Sequence, residues 1–147
     1  MKKLLLLPLV AVLCSFTGWH YDLKEAEQIA RNQHRYIILN FSGSDWCGPC
    51  IRLHNEIFGS DVFSKFADTA LVMVNADFPR MKKNQLSKQQ QAINDALADK
   101  YNANGDFPLT VLLNEDGKVI KQWVGFPKGT ADDFVFDVKA AIDGDSR

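Results

Sequence analysis

Cysteine is scarce in this chain, with three in 147 residues. Small exported domains held together by disulfides carry several bridges, and three thiols cannot supply them. An excess of charge of one sign is missing too. A formal net charge of −1, with no run of like charges, leaves no basic footprint for nucleic acid and no charged tail. Long apolar runs are absent apart from Leu4 to Phe16, which is too short to span a bilayer as a helix. No internal repeat or low-complexity linker marks a second domain. What is present, 46% hydrophobic and 24% charged residues, suffices for the core of one ordinary domain.

The apolar run follows Lys2 and Lys3 and is followed by the small residues Ser15, Thr17 and Gly18. This pattern reads as an export signal over residues 1–18, leaving a domain at 19–147. Cys14 raises the alternative of a membrane-anchored lipoprotein, but Leu13 before it is bulkier than such sites resemble. Once a signal is removed, every remaining thiol lies in "SDWCGPC", Ser44 to Cys50.

Three readings compete for Cys47 and Cys50. A structural bridge closing two intervening residues constrains little unfolded-chain entropy. A metal site needs further ligands: Ile51 excludes the C-x-x-C-H haem pattern, no second cysteine pair exists, and His54 is the single nearby candidate. Neither metal nor other cofactor is expected. A redox dithiol requires a strand, a tight turn and a helix, and the chain supplies all three. "YIILNF", Tyr36 to Phe41, reads as a buried strand, "SGSD" as the turn, and "IRLHNEIF" as a helix with Ile51, Leu53, Ile57 and Phe58 on an apolar stripe. Residues three apart on a helix are neighbours, within reach of a disulfide. Free N–H groups at the helix start lower the pKa of the first cysteine, making Cys47 the nucleophile and Cys50 the resolving thiol. Pro49 is tolerated early in the helix, and Gly48 keeps the approach to Cys47 open.

Elsewhere the pattern predicts a first helix near Tyr21 to Arg35 and a strand at Ala70 to Asp77. A helix follows from Leu86 to Tyr101, with Leu86, Ile93, Leu97 and Tyr101 on one face. Strands at Leu109 to Leu113 and Val119 to Val124 precede a last helix from Thr130 to Ile142. Helices alternating with strands imply a mixed central sheet flanked by helices.

Trp46, Cys47, Gly48, Pro49 and Cys50 reproduce the W-C-G-P-C motif of thioredoxin, and the sequence resembles the thioredoxin superfamily. "NGDFPLTVLLNEDGKVI", Asn104 to Ile120, looks like that family's cis-proline segment, and the similarity runs from about Tyr36 to Ile142. The resemblance implies an α/β thioredoxin-like fold with an extra helical segment before the cis-proline strand. It implies that Pro108 is the cis residue, that Phe107 offers a backbone edge to substrate, and that Trp46, Gly48 and Pro49 shape the rim around the cysteines. Together with the signal it is closest in character to exported bacterial proteins, which implies a periplasmic monomer. Its partners would be disulfide-containing protein substrates and an upstream electron donor. The expected activity is thiol–disulfide exchange. Gly48 and Pro49 resemble the reducing members, so a protein-disulfide reductase is expected first, with an isomerase, an oxidase or a non-catalytic peptide-binding module as alternatives. Two departures stand out. Asn40 occupies the place of thioredoxin's buried aspartate, and Met73 is expected at that of its lysine partner, so both halves of a buried charged pair are neutral.

Overall fold

Tyr36–Ser42 (β1) forms the centre of the sheet because its apolar run leaves almost no side chain in water. The computed structural model describes residues 18–145; the expected export segment up to residue 17, with Lys2, Lys3 and Cys14, lies outside the described residues. Before β1 comes α1 (Leu23–Gln33), capped by Asp22 accepting from the Lys24 N–H and closed by His34 in the left-handed region at φ 52°. After it come α2 (Gly48–Arg52), a π-helical turn (Leu53–Phe58), α3 (Asp61–Ala70), β2 (Leu71–Asp77), a 3-10 turn (Lys82–Asn84) and α4 (Lys88–Tyr101). The chain ends with β3 (Leu109–Leu113), β4 (Val119–Val124) and α5 (Ala131–Asp145). The sheet order is β2-β1-β3-β4. β1 and β2 run parallel with Tyr36 opposite Leu71, while β1–β3 and β3–β4 are antiparallel.

The two-residue period of the strands separates two cores. Ile37, Leu39 and Phe41 face one way and pack with Leu23, Ala26 and Ala30 of α1 and Leu97 and Tyr101 of α4. Ile38 faces the other way, into a cluster with Leu53, Ile57, Phe58, Phe63, Phe134, Val135 and Val138 from the cysteine helix, α3 and α5. This three-layer arrangement is the expected thioredoxin-like fold, with a mixed sheet and helices on both faces.

Differences from expectation are local. Ser60 caps α3 by accepting from the Phe63 N–H, a helix that no periodicity argument singled out. Ser87 caps α4, so Leu86 lies before that helix rather than on its buried face. Ile51 is exposed, whereas Leu53, Ile57 and Phe58 are buried, because the wider π turn after Arg52 rotates the stripe away from it. His20 bridges β2 through its backbone, donating to the Met73 carbonyl and accepting from Asn75 N–H.

Candidate active site

β1 delivers the chain to Gly43, and a turn through Ser44, Asp45 and Trp46 carries it to Cys47 at the N-cap of α2. Cys47 is extended at φ −96°, ψ 99°, and its Sγ accepts the Cys50 N–H at 3.3 Å. The pair forms a disulfide with Cα atoms 5.2 Å apart. Cys47 is 5% and Cys50 3% exposed, so accessibility does not separate the two sulfurs in this state; the cap geometry does. Gly48 and Pro49, between them, are exposed, with Pro49 in the first turn where its missing N–H leaves no bond unmade.

At the entry to β3 the Phe107–Pro108 peptide bond is cis. Pro108 is buried and its carbonyl accepts from the Gly125 N–H at 2.8 Å, which ties the loop after β4 to the start of β3. Among the described residues, neither the N–H nor the carbonyl of Phe107 has a hydrogen-bond partner. The Phe107 ring is half-buried, edge-on to Trp46 and to Phe78, with centroids 5.5 Å away in both cases.

Trp46 is fixed from four sides. Its Nε1 donates to the Phe78 carbonyl at 2.8 Å, Phe107 abuts its ring, and the Arg80 guanidinium lies 3.6 Å above its centroid. On the fourth side Gly43 passes so close that any Cβ there would run into the indole. Asp45, one residue earlier, accepts from the backbone N–H groups of Arg80 and Met81, both at 2.9 Å, and from Asn84 Nδ2 at 3.0 Å. These hydrogen bonds, the one from Arg80 foremost, hold its carboxyl below the ordinary aspartate range. Asp77, at the end of β2, reciprocates by accepting from the backbone and hydroxyl of Ser44.

Behind the cysteines, Asn40 lies opposite Asn75 across β1 and β2 and donates from Nδ2 to Asn75 Oδ1 at 3.0 Å. Met73 sits opposite Ile38 instead and belongs to the apolar cluster below. The residue facing Asn40 is thus Asn75 rather than Met73, because a parallel register fixes partners one for one and Met73 falls two residues early. The pair is neutral on both sides, as expected, but it is an amide pair. Asn40 Oδ1 is buried with no partner.

The structure therefore gathers Trp46, Cys47, Gly48, Pro49, Cys50, Phe107 and Pro108 into one region through the turn after β1 and the entry to β3. Sequence reasoning missed Asp45, Phe78 and Arg80. Asp45 registered only as a turn residue, and its one visible signal was an acid directly before Trp46.

A cysteine pair at the start of a helix, set on a mixed sheet with a cis proline just before an antiparallel strand, defines a thiol–disulfide oxidoreductase of thioredoxin-like fold. Residues 23–135 match the thioredoxin-like domain family, and the chain belongs to it. It is 36% identical over 118 residues, 80% of this chain and 69% of the relative, to the disulfide bond reductase DsbH of Chlamydia pneumoniae. It is 28% identical over 128 residues, 87% of this chain, to the thioredoxin-related protein DsbJ of the same organism, of which it spans 36%. A solved structure of a DsbH oxidoreductase superposes with a TM-score of 0.77 at 35% identity, covering 86% of this chain and 84% of that one. Among the described residues, no helix is long and apolar enough to cross a membrane.

Proposed function

We propose that the protein is an exported, periplasmic reductase of protein disulfides, with residues 1–18 as its export segment and 19–147 as the catalytic domain. Cys47 is the attacking thiol and Cys50 the resolving one. The observation that carries this assignment is the Cys50 N–H directed at Cys47 Sγ. A backbone donor at the start of a helix favours negative charge on Cys47 and offers none to Cys50, one turn deeper.

In the forward direction the Cys47 thiolate attacks one sulfur of a substrate disulfide, and the released substrate sulfur leaves as a thiolate that takes up a proton. The Cys50 thiol then gives up its proton, to the departing substrate thiolate or to solvent, since the neutral amides Asn40 and Asn75 cannot accept one, and attacks Cys47 Sγ. The mixed disulfide breaks, the second substrate thiol departs, and the protein is left with the Cys47–Cys50 bond. Two electrons have passed to the substrate, so an upstream dithiol donor must restore the pair. The unpartnered backbone of Phe107 suits an extended substrate segment, which can pair with it as an added strand while its cysteine meets Cys47.

Two points support the reducing direction: the Gly48–Pro49 dipeptide, and a DsbH relative described as a reductase. The test is equilibration of the pair with glutathione. A potential near thioredoxin's value of about −270 mV is expected, and one near the roughly −180 mV of protein disulfide isomerase would overturn the reductase assignment.

A further inference from the structure

On the Trp46 side of the cysteines a depression of about 410 Å³ is lined by Trp46, Phe78, Arg80, Gly105 and Phe107. We propose that Arg80 in this depression receives a carboxylate from the substrate, so that the protein selects disulfides whose attacked cysteine is flanked by Asp or Glu. The inference rests on the exchange reading above and adds the substrate class.

Arg80 lies on the segment between β2 and α4, but its position is set by the cysteine loop. Its N–H is held by Asp45, its carbonyl accepts from Gln85 Nε2 at 3.4 Å, and its guanidinium carbon lies over the Trp46 indole, 3.6 Å from the ring centroid. A guanidinium stacked by its face keeps its edge N–H groups available, and that planar fork matches a carboxylate. Among the described residues no carboxylate lies within ion-pair distance of it. Two neighbouring acids are engaged elsewhere: Asp45 with the backbone N–H groups of Arg80 and Met81, and Asp77 with Ser44. Lys82 and Lys83 follow Arg80 in the chain, both exposed, and add positive charge to the same segment. Phe107 forms the opposite wall, so a substrate strand paired with its backbone would carry its flanking side chains past Arg80.

The experiment uses the Cys50→Ala variant, in which the mixed disulfide on Cys47 accumulates whatever the physiological direction of exchange. Three peptide disulfides, alike except for Glu, Gln or Lys on both sides of the cysteine, are reacted with it at low salt. The Glu peptide should form the mixed disulfide about tenfold faster than the Lys peptide, with Gln between, in the range of a partly desolvated ion pair, and salt should compress the ratio. Adding Arg80→Gln should bring the Glu-to-Lys ratio to within about twofold of one, and Arg80→Lys should restore part of it. Equal rates for the three peptides, or an Arg80→Gln variant that scales all three down without altering their ratio, would show Arg80 to be only a brace for Trp46 and overturn the proposal. Failure of every peptide to form a mixed disulfide would instead remove the exchange reading, and the subsite with it.

Discussion

Replacing Asn40 by aspartate tests whether the space behind the cysteines is as dry and as neutral as its geometry says. Asn40 is 5% exposed, makes a single side-chain bond to Asn75 and has no lysine to neutralise a charge. Burial raises the pKa of an introduced carboxyl, by up to about 3–5 units for a fully enclosed group. With one amide donor from Asn75 in reach, a rise of about two units is expected, which at 1.36 kcal/mol per unit is about 2.7 kcal/mol. The folded pKa then lies above the unfolded one, so the native state prefers the protonated form. The penalty is absent below about pH 4, grows between about pH 4 and 6, and is complete above that. Urea midpoints of Asn40→Asp and the parent at pH 4 and pH 7.5 read it directly. In the intact dithiol the same variant should add a second inflection to the thiolate absorbance of Cys47, through coupling to the new acid. A destabilisation equal at both pH values would mean that the introduced charge is solvated and that Asn40 does not sit in a closed space. Asn40→Leu, with the same branching, gives the control. It loses one bond worth about 1 kcal/mol but also removes a buried carbonyl whose lack of a partner costs about 1–3 kcal/mol, so its stability should match or exceed the parent's.

Gly43→Ala forces a methyl group into the Trp46 indole; it should cost about 1–3 kcal/mol in denaturant unfolding and shift the tryptophan emission, and an unchanged spectrum would contradict the packing. Asp45→Asn should free the segment 80–84, seen as faster amide exchange there with the exchange in β1 unaltered. The hydrogen bonds that depress the Asp45 pKa are present above the ordinary aspartate value and are lost as pH falls through the lower folded one. Acidification should therefore loosen this segment only after ordinary surface aspartates have protonated. Phe63→Ala empties the space between Phe58 and Phe134 and should lower stability by about 3–5 kcal/mol, and a loss below 1 kcal/mol would show that the second core collapses to fill it.

The parts legible in the sequence were those encoded over short spans. Tyr36–Ser42 and Leu109–Leu113 announce themselves as short, mostly apolar runs, and the W-C-G-P-C stretch carries its strand, turn and helix within twenty residues. α3 is hard to read from the sequence although Ser60 followed by Asp61 is an ordinary helix start, because it follows the cysteine helix after a break marked by Gly59 alone. Ile51 was misplaced because a regular 3.6-residue period was assumed through a segment that widens to a π turn. That Asn75 and not Met73 faces Asn40 is invisible in the sequence because register between parallel strands depends on how both are anchored, which no local pattern records. The Asp45 clamp joins residues 35 to 39 positions apart, and an aspartate in a turn looks the same whether its oxygens meet water or a distant backbone.

The division of labour between the two sulfurs is tested most directly by following the reduced protein on a protein disulfide and mapping the intermediate by mass spectrometry of the Cys50→Ser and Cys47→Ser variants. The substrate should be found joined to Cys47 in the first and essentially unreacted in the second, and Cys47 should be alkylated at neutral pH well ahead of Cys50 in the reduced parent. Equal alkylation rates, or a substrate adduct on Cys50 when Cys47 is serine, would contradict the assignment of Cys47 as the nucleophile.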